Sequence, residues 1–335
     1  MKIVIDTMGA DYSPAELVLG AVDAINACGG FSVVLFGCEN EINASLSNIK
    51  YDKSRVEVFD CSEVITNEDV PTEAVLSKKQ SSLVRALNFL NENTDAKGFV
   101  SAGSTGAVLT GALLLLKRIR GINRPALSPL LPTVDGDKQV LLIDCGANVD
   151  PKPQNLVQFA VMGSVFMKCV KGIDSPRVAL LSNGAEDAKG SPLNKEAFPL
   201  IKASGVNFIG NIEGRDMLSG DADVVVADGY SGNIALKTCE GTALSMFEII
   251  KKGIMSGGLR SKIGYLLLKP VLKKVKKTLD YNDNGGAVLL GLEKVIVKSH
   301  GSSKRRAIMN SVLQAKNMAG SGIIESVAAE MSPRT

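Results

Sequence analysis

The sequence predicts an α/β protein, a three-layer α/β/α arrangement about a mainly parallel sheet, and three observations carry that expectation. Apolar, β-rich runs recur along the 335 residues, and most are followed by a helical repeat. Several runs are apolar without alternation, as strands covered on both faces must be. Glycine and polar residues gather where the runs end, which is the edge of an open parallel sheet where ligands bind.

In chain order, KIVID is the first strand and runs into Asp6-Thr7-Met8-Gly9-Ala10-Asp11. The helical pattern SPAELVLGAVDAINA follows, then the strand runs FSVVLFG and RVEVFD and a second helical pattern, SSLVRALNFLNEN. GFV ends in Ser101-Ala102-Gly103-Ser104-Thr105-Gly106, with helical periodicity starting at once. The stretch RGINRPALSPLLPTVDGDK, with three prolines, marks a crossing between lobes, expected at 1–125 plus 290–335 and at 126–289. QVLLID runs into Cys145-Gly146-Ala147-Asn148, followed by the runs RVALLSNG and NFIGNI. VVVADG then ends in Tyr230-Ser231-Gly232-Asn233, and VIVKSHG in Ser302-Ser303.

Composition narrows the class. Hydrophobic residues make up 45%, but no apolar stretch is long enough to span a bilayer, and MKIVID reads as a strand rather than a signal peptide. Six scattered cysteines and one histidine indicate neither a disulfide framework nor a structural zinc site, so a cytosolic chain with reduced thiols is expected. The net charge of +3 conceals a local feature: nine Lys or Arg and no Asp or Glu fall between Ile249 and Leu279. The remainder is net acidic, which argues for an acidic protein or membrane partner at one tip and against general nucleic-acid binding.

The loop Ser101–Gly106 offers unobstructed backbone N–H groups, hydroxyls and a helix amino terminus, the parts of an anion site. A simple tight turn is the alternative. The Walker pattern and GxGxxG are both missing, so a small oxyanion suits the loop better than a nucleotide or NAD. Arg120, Asn123 and Arg124 lie just downstream, where an arginine ahead of proline presents a fixed fork to phosphate, or simply ends a helix in solvent. Lys189 in GAEDAKG is a phosphate or oxyanion contact, or a solvated lysine. Asn233 ends a second glycine-rich exit, ahead of a helix carrying Lys237. His300, beside Gly301, Ser302 and Ser303, is either a packing residue or a proton donor to a leaving group. Asp6, Asp11, Asn148, Glu186, Asp228 and Ser302 share these exits and complete the set of cleft candidates.

The basic tip, at about 250–282, has its own pattern. Counted at 100° per residue from Val271, the residues Val271, Leu272, Val275 and Leu279 share one arc, and Lys273, Lys274, Lys276 and Lys277 the opposite one. Pro270 suits the first turn of such a helix, and Leu266, Leu267 and Leu268 form an apolar elbow before it. An interfacial membrane element and a subunit contact with a solvated lysine face are both consistent with this pattern.

The ordered set MGAD, SAGSTGA, RPAL, DCGANVDPKPQNLVQFAVMGS, EDAKG, GNIEGRD, DVVVADGYSGNIALKTCEG and KSHGSS resembles the PlsX family of bacterial phosphate acyltransferases, from Lys2 to about Ala315. The resemblance implies a phosphotransacetylase and isocitrate-dehydrogenase-like fold. It implies transfer of a long-chain acyl group from acyl carrier protein to inorganic phosphate, giving an acyl phosphate for a downstream glycerol-phosphate acyltransferase. It further implies a homodimer, peripheral membrane attachment, and no metal or organic cofactor. On this reading Ser101, Gly103, Ser104, Thr105 and Gly106 hold phosphate beside Arg124 and Lys189. Lys189 or Asn233 then serves the oxyanion, His300 the leaving thiolate, and no cysteine nucleophile is needed. The chain departs from the family pattern at Ala10 and Tyr12, at Ser104 in place of asparagine, and over Ser182-Asn183-Gly184-Ala185-Glu186. A phosphotransacetylase-like enzyme acting on short acyl-CoA, and a membrane scaffold without chemistry, are the alternatives.

Overall fold

The computed structural model describes residues 1–136, 138–279 and 285–331, leaving aside the side chains of 262, 274 and 276–279. Its first run comprises β1 (Lys2–Asp6), α1 (Pro14–Ala27), β2 (Ser32–Gly37), α2 (Glu39–Leu46), β3 (Val56–Asp60), α3 (Pro71–Ser77), α4 (Ser82–Glu92), β4 (Ala96–Ser101) and α5 (Thr105–Leu115). The middle holds β5 (Ala126–Ser128), β6 (Leu130–Pro132), β7 (Gln139–Ile143), α6 (Pro153–Lys171), β8 (Arg177–Ser182), α7 (Pro192–Lys202), β9 (Asn207–Glu213), β10 (Val224–Val226) and α8 (Gly229–Ser256). The chain then forms α9 (Leu259–Leu279), β11 (Ala287–Leu290), β12 (Val295–Lys298), α10 (Arg305–Ala319) and α11 (Ile323–Met331).

The strands divide between two mostly parallel sheets. A seven-stranded sheet has the order β3-β2-β1-β4-β12-β11-β5, with β11 antiparallel to both its neighbours and the rest of the order parallel. A five-stranded sheet has the order β6-β7-β10-β8-β9, with only β6 antiparallel. The nine apolar runs all fall on strands; β5, β6 and β11 do not stand out in the sequence. They are three, three and four residues long and are interrupted or bordered by turn residues, too short to show a period.

The proline-rich stretch is the seam. Pro129 separates β5, in the large sheet, from β6, in the small one, and without an N–H it cannot continue a ladder. Its carbonyl nevertheless accepts from Leu142 N at 3.1 Å, and Leu127 O accepts from Cys145 N at 3.0 Å. The seam thus stitches the large sheet to the exit of β7. Burial explains the continuous apolar strands: Ile3, Ile5, Val100 and Val297 enter one core, while Val4, Phe99 and Ile296 enter another on the opposite face. Each such side chain contributes about 1.5–3 kcal/mol on burial.

Serine caps start α1, α4 and α7: Ser13, Ser81 and Ser191 accept from Ala15 N, Val84 N and Asn194 N. The tip differs from the sequence expectation. Pro270 lies inside α9, which starts at Leu259, so the expected elbow is itself helical. Proline removes one intrahelical hydrogen bond, and a 21-residue helix retains enough others to pass through it. Leu266, Leu267 and Leu268 are 70%, 75% and 53% exposed, and Lys273 is exposed too. The side chains of Lys274, Lys276 and Lys277 lie outside the described residues. No described helix is long and apolar enough to cross a membrane.

Candidate active site

The carboxyl ends of β1, β4 and β12 meet the seam, the exit of β7 and the first turns of α8 around one cleft of about 400 Å³. Its lining is polar at Asp11, Asn67, Thr105, Asn233, Lys237, Lys298, Ser299 and His300, with Gly103 beside them. Leu127, Pro129, Leu236 and Ala287 add apolar surface. Among the expected residues, the fold therefore brings together Asp11, Gly103, Thr105, Asn233 and His300.

Several others shape the cleft from behind. Asp6 is wholly buried and accepts from Ser82 Oγ at 2.6 Å, Ser101 Oγ at 2.8 Å and Met8 N at 3.2 Å. Burial pushes its carboxyl above the ordinary range, and these hydrogen bonds pull the other way. Ser101 Oγ in turn accepts from Gly103 N at 3.0 Å. Its hydroxyl is committed within the protein, so Ser101 shapes the 101–106 loop rather than facing the cleft. Asp144, at the exit of β7, performs the same service for the opposite wall. It accepts from Leu127 N at 2.8 Å, Ala147 N at 3.2 Å and Asn148 N at 2.7 Å, and from the Asn148 amide at 3.0 Å. Burial again raises its carboxyl against those bonds. Asn148 also donates to Pro125 O at 2.8 Å, so its side chain ties the seam to this loop. Gly232 is needed here, because a Cβ would stand 2.0 Å from Asp144 O.

Ser104 is the N-cap residue of α5 and makes no side-chain cap, in contrast to Ser13, Ser81 and Ser191. The first intrahelical bond runs from Val108 N to Ser104 O at 2.9 Å, so the earlier amides form the open amino end of the helix beside the cleft. Asp228, by contrast, caps α8 by accepting from Ser231 N at 2.8 Å. Asn233 and Lys237 follow on one helical face four residues apart, and Lys237 pairs with Glu240 at 2.8 Å. His300 Nδ1 accepts from Ser302 N at 3.2 Å and lies 2.7 Å from Ser302 Oγ. That assigns the proton of the neutral ring to Nε2, and Ser302 is the residue that orients it.

Lys298 is the residue that sequence reasoning missed. It ends β12, is 7% exposed, lines the cleft, and donates to Ser299 O. Burial brings its ammonium down to about 8, with Asp11 and Asp6 pulling upward and Lys237 pushing the same way as burial. A lysine closing the apolar run VIVK was the available signal. Cys145 is a thiol on the wall, 3% exposed, and burial with Asp144 nearby pushes it well above its ordinary range. A thiol held protonated is a poor nucleophile.

Arg124, Glu186 and Lys189 are exposed and stand outside the cleft wall. Lys189 lies on the loop beyond β8, where its side chain folds over Gly184. The cations on the wall are Lys237 and Lys298. Of the departures in sequence, Ala10 is accommodated locally. Ala10 has no positive φ and packs on the core beside Gly9, whose φ of 77° does require glycine. Among the described residues, no group of three or more His, Cys, Asp or Glu could hold a metal ion.

The fold is that of an α/β protein of phosphotransacetylase architecture. A solved phosphotransacetylase from Streptococcus pyogenes superposes with a TM-score of 0.61 at 19% identity, covering 95% of this chain and 94% of that one. The sequence comparisons are narrower. The profile of the family described as "Fatty acid synthesis protein" matches residues 1–326. A phosphate acyltransferase from Oceanobacillus iheyensis is 48% identical over 318 residues, 95% of this chain and 93% of that protein. Another from Clostridium novyi is 44% identical over 334 residues, 100% of this chain and 99% of that protein. The chain belongs to this family of acyltransferases.

Proposed function

We propose that this enzyme transfers a long-chain acyl group from the thioester of acyl carrier protein to inorganic phosphate. The observation that carries the reading is the composition of this cleft. An uncapped helix amino end and two lysines favour an anion, and Leu127, Pro129, Leu236 and Ala287 put apolar surface in the same lining. Phosphate is already anionic at neutral pH, so it needs positioning more than activation. Its oxygen attacks the thioester carbonyl carbon, and the carbonyl electron pair moves to oxygen. The Asn233 amide donates to that oxyanion. The pair then returns, the C–S bond breaks, and the thiolate leaves with a hydrogen bond from His300 Nε2–H and takes its proton from solvent. The products are acyl phosphate and free carrier thiol. Arg124 and Lys189, exposed and off the wall, serve in this reading as rim contacts for an acidic carrier.

The test is phosphate-dependent release of thiol from palmitoyl-acyl carrier protein, with the acyl phosphate trapped by hydroxylamine. Parallel reactions use palmitoyl-CoA and acetyl-CoA. Phosphate dependence with preference for the carrier is expected. Preference for acetyl-CoA moves the assignment to a phosphotransacetylase proper, and no turnover by folded protein to the scaffold reading.

The α8–α9 hairpin supports two further proposals. With 28 residues, α8 extends about 42 Å. Leu244, Met246, Ile249, Met255, Leu259 and Ile263 add to the exposed leucines of α9. The chain exposes 16081 Å², against about 13,000 Å² for a compact chain of this mass. Apolar side chains exposed in series along two helices call for cover. We infer that a second copy covers the stalk in a homodimer, and that the tip rests on an anionic membrane, where acyl phosphate passes to the next acyltransferase. Sedimentation equilibrium tests the dimer. Replacing Lys273, Lys274, Lys276 and Lys277 with glutamate tests the membrane contact: unchanged co-sedimentation with anionic vesicles would count against it.

A further inference from the structure

Lys298 lines the cleft but has no assigned contact in the chemistry above. In β12 it stands in register with Ser101 of β4 on one side and Ala287 of β11 on the other, at the point where both chains open into the cleft. The two-residue period of a strand puts its side chain on the same face as Ile296. Ile296 packs in the core that contains Ala107 and Val108, from the first turns of α5. The ammonium and the open amino end of α5 are thus on the same side of the sheet, at the same edge.

Two positive ends brought to one edge repel unless something negative lies between them. Among the described residues no carboxylate forms an ion pair with Lys298, and its hydrogen bond goes to the Ser299 carbonyl. The acids that face it are otherwise engaged. Asp6 is shared among Ser82, Ser101 and the Met8 amide, and Asp11, on the cleft side, accepts from Asn67 at 3.4 Å. The remaining titratable neighbours are Lys237, on α8, and His300 and Cys145, on the cleft wall. A buried cation with no carboxylate in contact is costly to keep, and an anion bound from solution reduces that cost.

We propose that Lys298 contacts the acceptor phosphate directly and holds it against the first turn of α5. The proposal rests on the phosphate-acceptor reading given above. A proton linkage follows from it. Burial has left Lys298 half-deprotonated near pH 8, and a bound dianion favours its charged form. Above that pH, binding phosphate takes up a proton onto Lys298, and apparent affinity falls roughly tenfold per pH unit. Inorganic phosphate has completed its second ionisation by then, so the dependence belongs to the protein.

The test uses the full-length enzyme and inorganic phosphate as the probe. Calorimetric titration at pH 9, in buffers of different ionisation enthalpy, counts the protons taken up on binding. Wild type is expected to take up close to one proton, and its KM for phosphate to climb above pH 8. Lys298→Arg keeps its charge through this range, so proton uptake disappears and the climb flattens. Lys298→Met raises KM for phosphate on the order of 10²-fold. If Lys298→Met does not fold, the arginine pH profile carries the test alone. Unchanged proton uptake and an unchanged pH profile in Lys298→Arg overturn the assignment. Thiol release by wild type that ignores phosphate sinks instead the acceptor reading beneath it, so the two failures are distinct.

Discussion

Lys298→Met should make the protein more stable at neutral pH while it cripples phosphate use. The lysine is charged at pH 7 in the folded and the unfolded chain alike, but burial moves its folded value from 10.5 to about 8. At about 1.4 kcal/mol per pKa unit, holding that charge inside costs about 3 kcal/mol. Methionine fills similar volume without charge. Its removal of the hydrogen bond to Ser299 O returns about 1 kcal/mol of the gain, so the net expectation is about 2 kcal/mol. The sign with pH is fixed by proton counting. Between about 8 and 10.5 the unfolded chain binds the Lys298 proton and the folded chain does not, so wild-type stability rises relative to the variant across that window. Below it the cost is present in full, and above it the cost is gone. Urea unfolding of both proteins at one protein concentration, at pH 7, 8.5 and 10, measures the gap. A variant less stable at pH 7, or a gap that stays constant with pH, would refute the argument that Lys298 is a buried cation without an ion pair.

Four other outcomes are expected. His300→Ala lowers kcat by about 10² with KM for phosphate little changed, and Ser302→Ala, which only orients the ring, costs less; steady-state kinetics separates the two. Asn233→Ala lowers kcat by about 10²–10³ through the oxyanion, and equal activity in the variant removes that role. Cys145→Ser keeps turnover within a few-fold, and a pre-steady-state burst of acylated wild-type protein lost in the variant would revive a covalent route. Asp144→Ala leaves the amides of Leu127, Ala147 and Asn148 without their acceptor and destabilises the chain on the order of 3 kcal/mol, read by urea unfolding.

The fold class and the edge that carries the site were legible in the residues themselves, because both follow from local pattern. A run such as QVLLI has to be buried on both faces, and glycine at a strand exit, as at Gly103 or Gly146, is a backbone requirement visible one residue at a time. The ordered motifs added the family, which matches of 44–48% identity bear out. Which candidates share a cleft was a different matter. Asp6 and Ser101 are 95 positions apart, and their hydrogen bond turns a presumed phosphate ligand into loop support. Arg124 reads as a phosphate fork but is exposed outside the wall. Lys298 reads as an unremarkable end of a strand, and its chemistry comes from burial beside Ser101, Ala287 and the face of Ile296. Two sheets rather than one, and a seam at Pro129, depend on pairings of three-residue strands with partners far along the chain. Strand pattern and turn chemistry are properties of neighbours in sequence, so the sequence by itself determined the elements and their ligand-binding edge. Desolvation and convergence of charge are properties of neighbours in space, and only the tertiary structure decided which cation faces the cleft unpaired.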